Sequence, residues 1–271
     1  MHEGRRYIEI LAREWAVLDE LCSGFTDTQW VIPTELPAWS VKDVLSHIVG
    51  TEAFLLGRGA EHEIEPRPYV RNPLGEMNER EVDFRRPRSG TAVFEEFRTV
   101  TAERLEFVRG LSDAELDQIT WTPIGMNPVA VFIAVRVFDC WVHEQDIRRV
   151  VDIPGHLSGD IAQHAYAMLR RGLPKAVAKG AGAPDGSSVA FEVEDWDSQA
   201  TTVVGVEAGR GHMLDIDPDA ASTRLSMNLE TFVCLTCGRW DAAQATQEGS
   251  LRIEGDTNLG ATVAANLNGM L

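Results

Sequence analysis

The sequence holds only four cysteines, Cys22, Cys140, Cys234 and Cys237, scattered over 271 residues. Thiols so few and so scattered in a chain of this length do not make a disulfide framework. Long apolar runs are also missing. The most apolar stretch, Val129 to Phe138, is broken by Arg136 and falls far short of the ~20 residues that span a bilayer as a helix. The opening Met-His-Glu-Gly-Arg-Arg-Tyr7 runs into a mixed charged and apolar pattern, without the continuous apolar core of a signal peptide, so a cytoplasmic protein is expected. Positive charge is scarce: 25 Lys and Arg stand against 42 Asp and Glu, a formal net charge of −17. A surface of that sign repels phosphate backbones and anionic lipid, which argues against nucleic acid and membranes as partners. There is no internal repeat and no low-complexity segment. The glycine-rich loop Gly180-Ala-Gly-Ala-Pro184 lacks a following lysine and a preceding strand, and reads as a helix stop rather than a phosphate cradle.

What is present is globular composition, with 44% hydrophobic and 25% charged residues. The length suits two domains or one large one. Tyr7, Leu11, Trp15, Leu18 and Cys22 recur at steps of three and four, predicting an amphipathic helix over about 5–23 that Gly24 ends. The segment 25–37 reads as a loop. It delivers Leu36-Pro-Ala-Trp-Ser-Val-Lys-Asp-Val-Leu-Ser-His-Ile-Val-Gly50, where Ser40 and Asp43 form a shortened capping box. Val41, Val44, Leu45, Ile48 and Val49 supply the apolar face of a second helix, running to about Leu56 and carrying His47.

Residues 57–89 contain Pro66, Pro68, Pro73, Pro87 and the run Arg85-Arg-Pro-Arg88 without a sustained apolar face. They read as a long excursion with one short helix, a candidate lid or wall of a site. A third helix is expected from Thr91 to Leu111, then a connection through Trp121–Pro128, then a fourth helix over about 128–150 with Pro128 in its first turn. Four such helices suggest a bundle. Asp152 to Gly159 interrupts the helical period and marks a domain boundary. Beyond it a helix is expected from Asp160 to about Lys179. Alternating segments at 188–193, 201–206, 212–216 and 222–227 read as strands of an antiparallel or mixed sheet. A helix over 230–239, an edge strand over 251–254 and a closing helix over 257–268 complete an α+β chain of two domains, 1–155 and 156–271.

Within the fourth helix, Asp139 and His143 are four apart, which puts both on one helix face within reach of a single metal ion. With His47 they make two histidines and one carboxylate. That set leaves positions open on zinc, nickel or iron, as catalysis requires. Asp139 falls between Phe138 and Trp141 on an otherwise apolar helix, where an unpaired carboxylate would be costly. Asp146 or Glu144 is placed to hydrogen-bond a ligand histidine, with solvation the expected role for Glu144. His62, His156, His164 and His212 have no partner at useful spacing, and His2 sits at an end expected to fray. Cys234-x-x-Cys237 has no second pair and reads as structural.

The capped Leu36–His47 stretch, followed by Asp139-x-x-x-His143-x-x-Asp146, resembles the DinB-like superfamily, and within it the mycothiol-dependent maleylpyruvate isomerase family. The resemblance covers the whole chain. It implies a DinB-like four-helix bundle that holds a divalent metal, usually taken as zinc, through a histidine, an acidic residue and a histidine. His47, Asp139 and His143 stand at those positions, with Asp139 where members often carry Glu. It also implies a smaller α/β C-terminal domain of sterol-carrier type. Cys237-Gly-Arg239 looks like the family's Gly-Arg near the end of a C-terminal helix; Arg239 is then expected to assist the substrate, its alternative being a cation near a helix C-terminus. The implied activity is that of a metal-dependent transferase or isomerase, which uses mycothiol or another low-molecular-weight thiol on a small electrophile. The alternative is a non-catalytic metal- or ligand-binding or regulatory protein.

Overall fold

In a computed structural model, residues 2–194 and 200–270 are described. The backbone gathers into two compact units, Met1–Gly155 and His156–Leu271.

The first unit is helical: α1 (Glu3–Cys22), α2 (Asp27–Trp30), α3 (Val41–Leu55), α4 (Pro73–Arg85), α5 (Gly90–Gly110), α6 (Asp113–Leu116) and α7 (Val129–Val150). Helix α1 packs on α7 and α3 on α5, with α3 also touching α7. The buried stripe of α1 includes Ile8, Leu11, Trp15, Leu18 and Cys22, the period that the sequence displays. At the start of α3 the Ser40 and Asp43 side chains cap reciprocally, and the Ser40 amide donates to Asp43 Oδ2 at 2.9 Å. This cap sets where α3 begins, and so where His47 falls.

Three segments of this unit differ from expectation, the first being the 25–37 loop, which contains the single-turn helix α2. The 57–89 excursion contains a helix of 13 residues, α4, started by Asn72 with Pro73 in its first turn. Its buried side is Glu79, Glu81, Val82 and Arg85, so the face that packs is charged and shows no apolar period. Arg85 satisfies it by pairing with Glu81 at 2.8 Å and with Glu96 of α5 at 2.8 Å. Helix α4 lies close on α3 because position 50 is glycine: a Cβ there would stand 2.4 Å from that of Glu81. The stretch read as a plain connection before α7 holds α6 and an antiparallel hairpin, β1 (Ile119–Thr122) and β2 (Gly125–Pro128), with Trp121 opposite Met126. Gly125 takes φ +108° in its turn, a conformation open to glycine and closed to most side chains. Pro128 caps α7 from just outside its first turn.

The second unit comprises α8 (Gly159–Arg170), α9 (Leu173–Lys175), β3 (Ser188–Glu194), β4 (Ala200–Glu207), β5 (Arg210–Leu214), β6 (Thr223–Asn228), α10 (Leu229–Thr236), α11 (Ala242–Glu248), β7 (Leu251–Gly255) and α12 (Thr257–Ala265). The sheet runs in the order β5-β4-β3-β6-β7. It is mixed: β3 and β6 are parallel, with Phe191 beside Leu225, and the other pairs are antiparallel. Strand β7 is an edge, as its short alternation suggests. The single helix expected over 160–179 is interrupted at Arg171–Gly172 and finishes as a π turn, Ala176–Gly180. Helix α11 shows no apolar period in the sequence, since its seven residues bury only Ala242 and Ala245. The closing helix stops at Ala265, and a 3-10 turn follows. Among the described residues no helix is long and apolar enough to cross a membrane.

Candidate metal centre

Helix α3 presents His47 and helix α7 presents Asp139 and His143. His47 Nε2 lies 3.2 Å from Asp139 Oδ2, and His143 Nε2 lies 3.8 Å from Asp139 Oδ1. One ligand atom from each of the three residues falls within 4.8 Å of the others. Both imidazoles are buried, whereas the Asp139 side chain keeps 28% of its surface.

Neighbouring groups fix the two rings. His143 Nδ1 is 3.0 Å from Asp146 Oδ2; a carboxylate can only accept, so the proton sits on Nδ1 and Nε2 offers its lone pair. Asp146 is fully buried and also accepts from Arg149 at 2.5 Å, and Arg149 in turn donates to Glu35 at 3.0 Å. Of the two acidic residues placed beside the candidate ligands, Asp146 therefore contacts one. Glu144 departs from its expected solvated role: it is 0% exposed, is paired with Arg148 and faces Glu14, which is equally buried. The Trp39 indole lies against both histidines, its centroid 5.5 Å from that of His47 and 6.3 Å from that of His143. Glu79 of α4 holds the indole by accepting from Trp39 Nε1 at 2.9 Å, and it accepts as well from Tyr69 and Arg86. The 57–89 segment thus supports the histidines indirectly. His47 Nδ1 is buried and finds no hydrogen-bond partner among the described residues.

The third group on Asp139 is Arg136, one turn earlier on α7 and paired with Asp139 Oδ2. Arg136 Nε donates to Glu52 Oε1 at 2.7 Å, and Glu52 Oε2 accepts from Arg104 Nε at 3.2 Å. Burial pushes the Asp139 carboxyl up, but the Arg136 charge, with His47 and His143 behind it, outweighs this and holds it well below the usual carboxylate range. Burial pushes His47 below its ordinary value despite the opposing pull of Asp139. The site therefore offers an uncharged imidazole at His47 and an ionised carboxylate, the forms in which these side chains ligate a metal. Two imidazole nitrogens and a carboxylate oxygen fit zinc or another first-row divalent ion.

A family model described as the mycothiol maleylpyruvate isomerase N-terminal domain matches residues 11–148. The chain belongs to this family. A second model, the SCP-2 sterol transfer family, matches residues 169–268, so a helical domain of the isomerase type precedes a sheet-containing SCP-2 domain. The crystal structure of the mycothiol-dependent maleylpyruvate isomerase is similar at 17% identity and TM-score 0.55, over 88% of this chain and 90% of that one. A histidine-to-alanine mutant of that isomerase gives 15% identity and TM-score 0.58 over 93% and 92%. At such identities the likeness is one of fold. No curated protein matches the sequence.

In this family member Arg239, His62 and His2 have partners of their own. Arg239 belongs to the second unit, just past α10, where its Nη1 donates to the Cys237 carbonyl at 2.6 Å. His62 has a partner after all, Asp83 at 3.3 Å. His2 is not frayed: it caps α1 by accepting from the Gly4 amide at 3.0 Å and meets Asp117 at 3.1 Å. Glu14, Glu52, Arg136, Trp39 and Glu79 are not among the residues that the sequence singles out for the site. For three of them a signal exists, because Glu14 follows Ile10 by four, Glu52 follows Ile48 by four and Arg136 follows Ile133 by three. Each is a charge set in the apolar stripe of its helix, where burial demands a counter-charge.

Proposed function

We propose that this member of the family is a divalent-metal-dependent enzyme that brings mycothiol, or a related low-molecular-weight thiol, to a small electrophile, as an isomerase or a transferase. The observation that carries this reading is the convergence of His47, Asp139 and His143, whose ligand atoms lie within 4.8 Å of one another. These three residues would hold the ion, zinc by preference, with nickel or iron as alternatives. When bound, the ion supplies positive charge that favours a thiolate over a thiol at neutral pH. The chain's own groups prepare the site. Burial keeps His47 uncharged, Asp146 holds the proton of His143 on Nδ1, and Trp39 covers both rings. Three protein donors leave room for an exogenous ligand, which distinguishes a catalytic from a purely structural site. Maleylpyruvate is one candidate substrate among small electrophiles. The cytoplasm is the setting, since thiols are kept reduced there. Arg239 is assigned to the substrate.

The test is metal analysis of the purified protein, coupled to a screen of mycothiol and other thiols against a panel of electrophiles, with and without chelator. Thiol-dependent turnover should appear, and should vanish with chelator and in His47→Ala. Arg239→Ala should lower turnover and leave metal content alone. Unchanged metal content in both His47→Ala and Asp139→Ala would remove the site.

A second reading, a non-catalytic ligand-binding protein, draws on the SCP-2 match over residues 169–268. It gains if the folded, metal-loaded protein turns over no electrophile with any thiol yet retains apolar ligands.

A further inference from the structure

We propose that Arg136 sets the strength of the candidate metal centre: by holding Asp139 in an ion pair it keeps a divalent cation weakly bound and exchangeable. This rests on His47, Asp139 and His143 being the ligands.

The geometry is one of competition for a single oxygen. Asp139 Oδ2, 3.2 Å from His47 Nε2, is the same atom that accepts from Arg136 Nη1. A carboxylate oxygen has two lone pairs; the Arg136 guanidinium occupies one, and His47 Nε2 stands beside the same atom. A cation bound between His47 Nε2 and Asp139 Oδ2 would share that oxygen with a fixed positive charge, whereas Oδ1 lies 3.8 Å from His143 Nε2.

Arg136 cannot easily withdraw. Its side chain is 5% exposed, its Nε is bound to Glu52, and its Nη2 lies 3.6 Å from Cys140 Sγ. Glu52 is 0% exposed and relies on Arg136 and Arg104 for its counter-charge. Swinging Arg136 away would leave Glu52 short of one partner in a dry interior, the arrangement that makes breaking a buried pair costly. Charge balance points the same way. Asp139 and Glu52 are matched by Arg136 and Arg104, so the quartet is neutral before any ion arrives. The carboxylate that should draw a dication to His47 and His143 is already paired with a cation. An Arg136 that merely oriented Asp139 for the metal would have the opposite effect on affinity, which makes the two roles separable.

The experiment measures zinc affinity by competition with a chromophoric chelator, alongside circular dichroism and thermal unfolding to confirm that each variant folds. Arg136→Met removes the charge and keeps the length. Because that change strands Glu52, Arg136→Met/Glu52→Gln is measured in parallel. Both should bind zinc about 10- to 100-fold more tightly than the wild type, the range through which groups behind the ligands tune such sites. Zinc binding by the variants where the wild type holds none would support the proposal equally. Arg104→Gln perturbs the same chain of ion pairs without touching Asp139 and should change affinity less than Arg136→Met. Affinity unchanged or weakened in both folded Arg136 variants overturns the proposal. Adding His47→Ala to Arg136→Met should abolish the binding. If it does not, the ligand assignment itself fails, and the proposal with it.

Discussion

His47 and Asp139 are separated by 92 positions in the chain, yet Nε2 of one lies 3.2 Å from Oδ2 of the other. Each stands on a different long helix, α3 and α7, and the two helices touch in the first unit. The pair joins a buried imidazole to a carboxylate that is still reachable from solvent. In the proposed metal centre that combination would leave a position open, as catalytic metal sites do.

In the proposed metal centre Asp146 is the group that orients His143, so its removal should weaken metal binding without removing a proposed ligand. Asp146→Asn keeps the shape but puts a weaker acceptor, or an amide donor, beside His143 Nδ1. Zinc affinity should fall about 10- to 100-fold, read by chelator competition. Affinity equal to the wild type would show that His143 needs no such support.

Glu14 gives the stability profile a definite slope. Burial raises its carboxyl well above the ordinary value, and the charge of Glu144 and a hydrogen bond to it add to the rise, with Arg148 opposing. The folded protein therefore keeps a proton on Glu14 at a pH where the unfolded chain, with a glutamate pKa of about 4.3, has lost it. This contribution is fully present below the unfolded value and disappears as pH rises through the folded one. Glu14→Gln stays neutral throughout. Its thermal unfolding midpoint should therefore decline less than that of the wild type as pH is raised from mildly acidic to alkaline. Parallel profiles for the two proteins would exclude Glu14 as the source.

Gly50 sets two effects of opposite sign against each other. Replacing a mid-helix glycine by alanine ordinarily stabilises a helix by about 1 kcal/mol. Here the new Cβ would lie 2.4 Å from the Cβ of Glu81, and overpacking of that kind costs about 1–3 kcal/mol. The clash meets the root of a side chain on α4 and cannot be relieved by a rotamer change, so Gly50→Ala should be net destabilising in urea unfolding. A stabilised variant would mean that α4 moves freely against α3.

Much of this molecule can be read locally. The reciprocal cap of Ser40 and Asp43, the stripe Leu11-Trp15-Leu18-Cys22 and the alternation of β3 and β6 reflect forces between residues a few positions apart, and periodicity records those directly. The i,i+4 relation of Asp139 and His143 is of the same kind. Helix α4 escaped because it packs through Glu79, Glu81 and Arg85, and a charged face becomes a buried one only once Glu96 and Arg86 are in position. The hairpin before α7 rests on only four residue pairs, too short for its alternation to register. Glu144 looked like a surface residue because nothing nearby in sequence announces that α1 will cover it with Glu14.

The sequence by itself determined which residues are capable of ligation, which helices carry them and which face they occupy, since these depend on short-range geometry. The tertiary structure decided that α3 delivers His47 to the carboxylate of Asp139, and that Glu52 pins Arg136 against the same oxygen. Those relationships hang on helices distant in the chain meeting side by side, and on which buried charge finds which partner, a matter of through-space distance that no local pattern encodes.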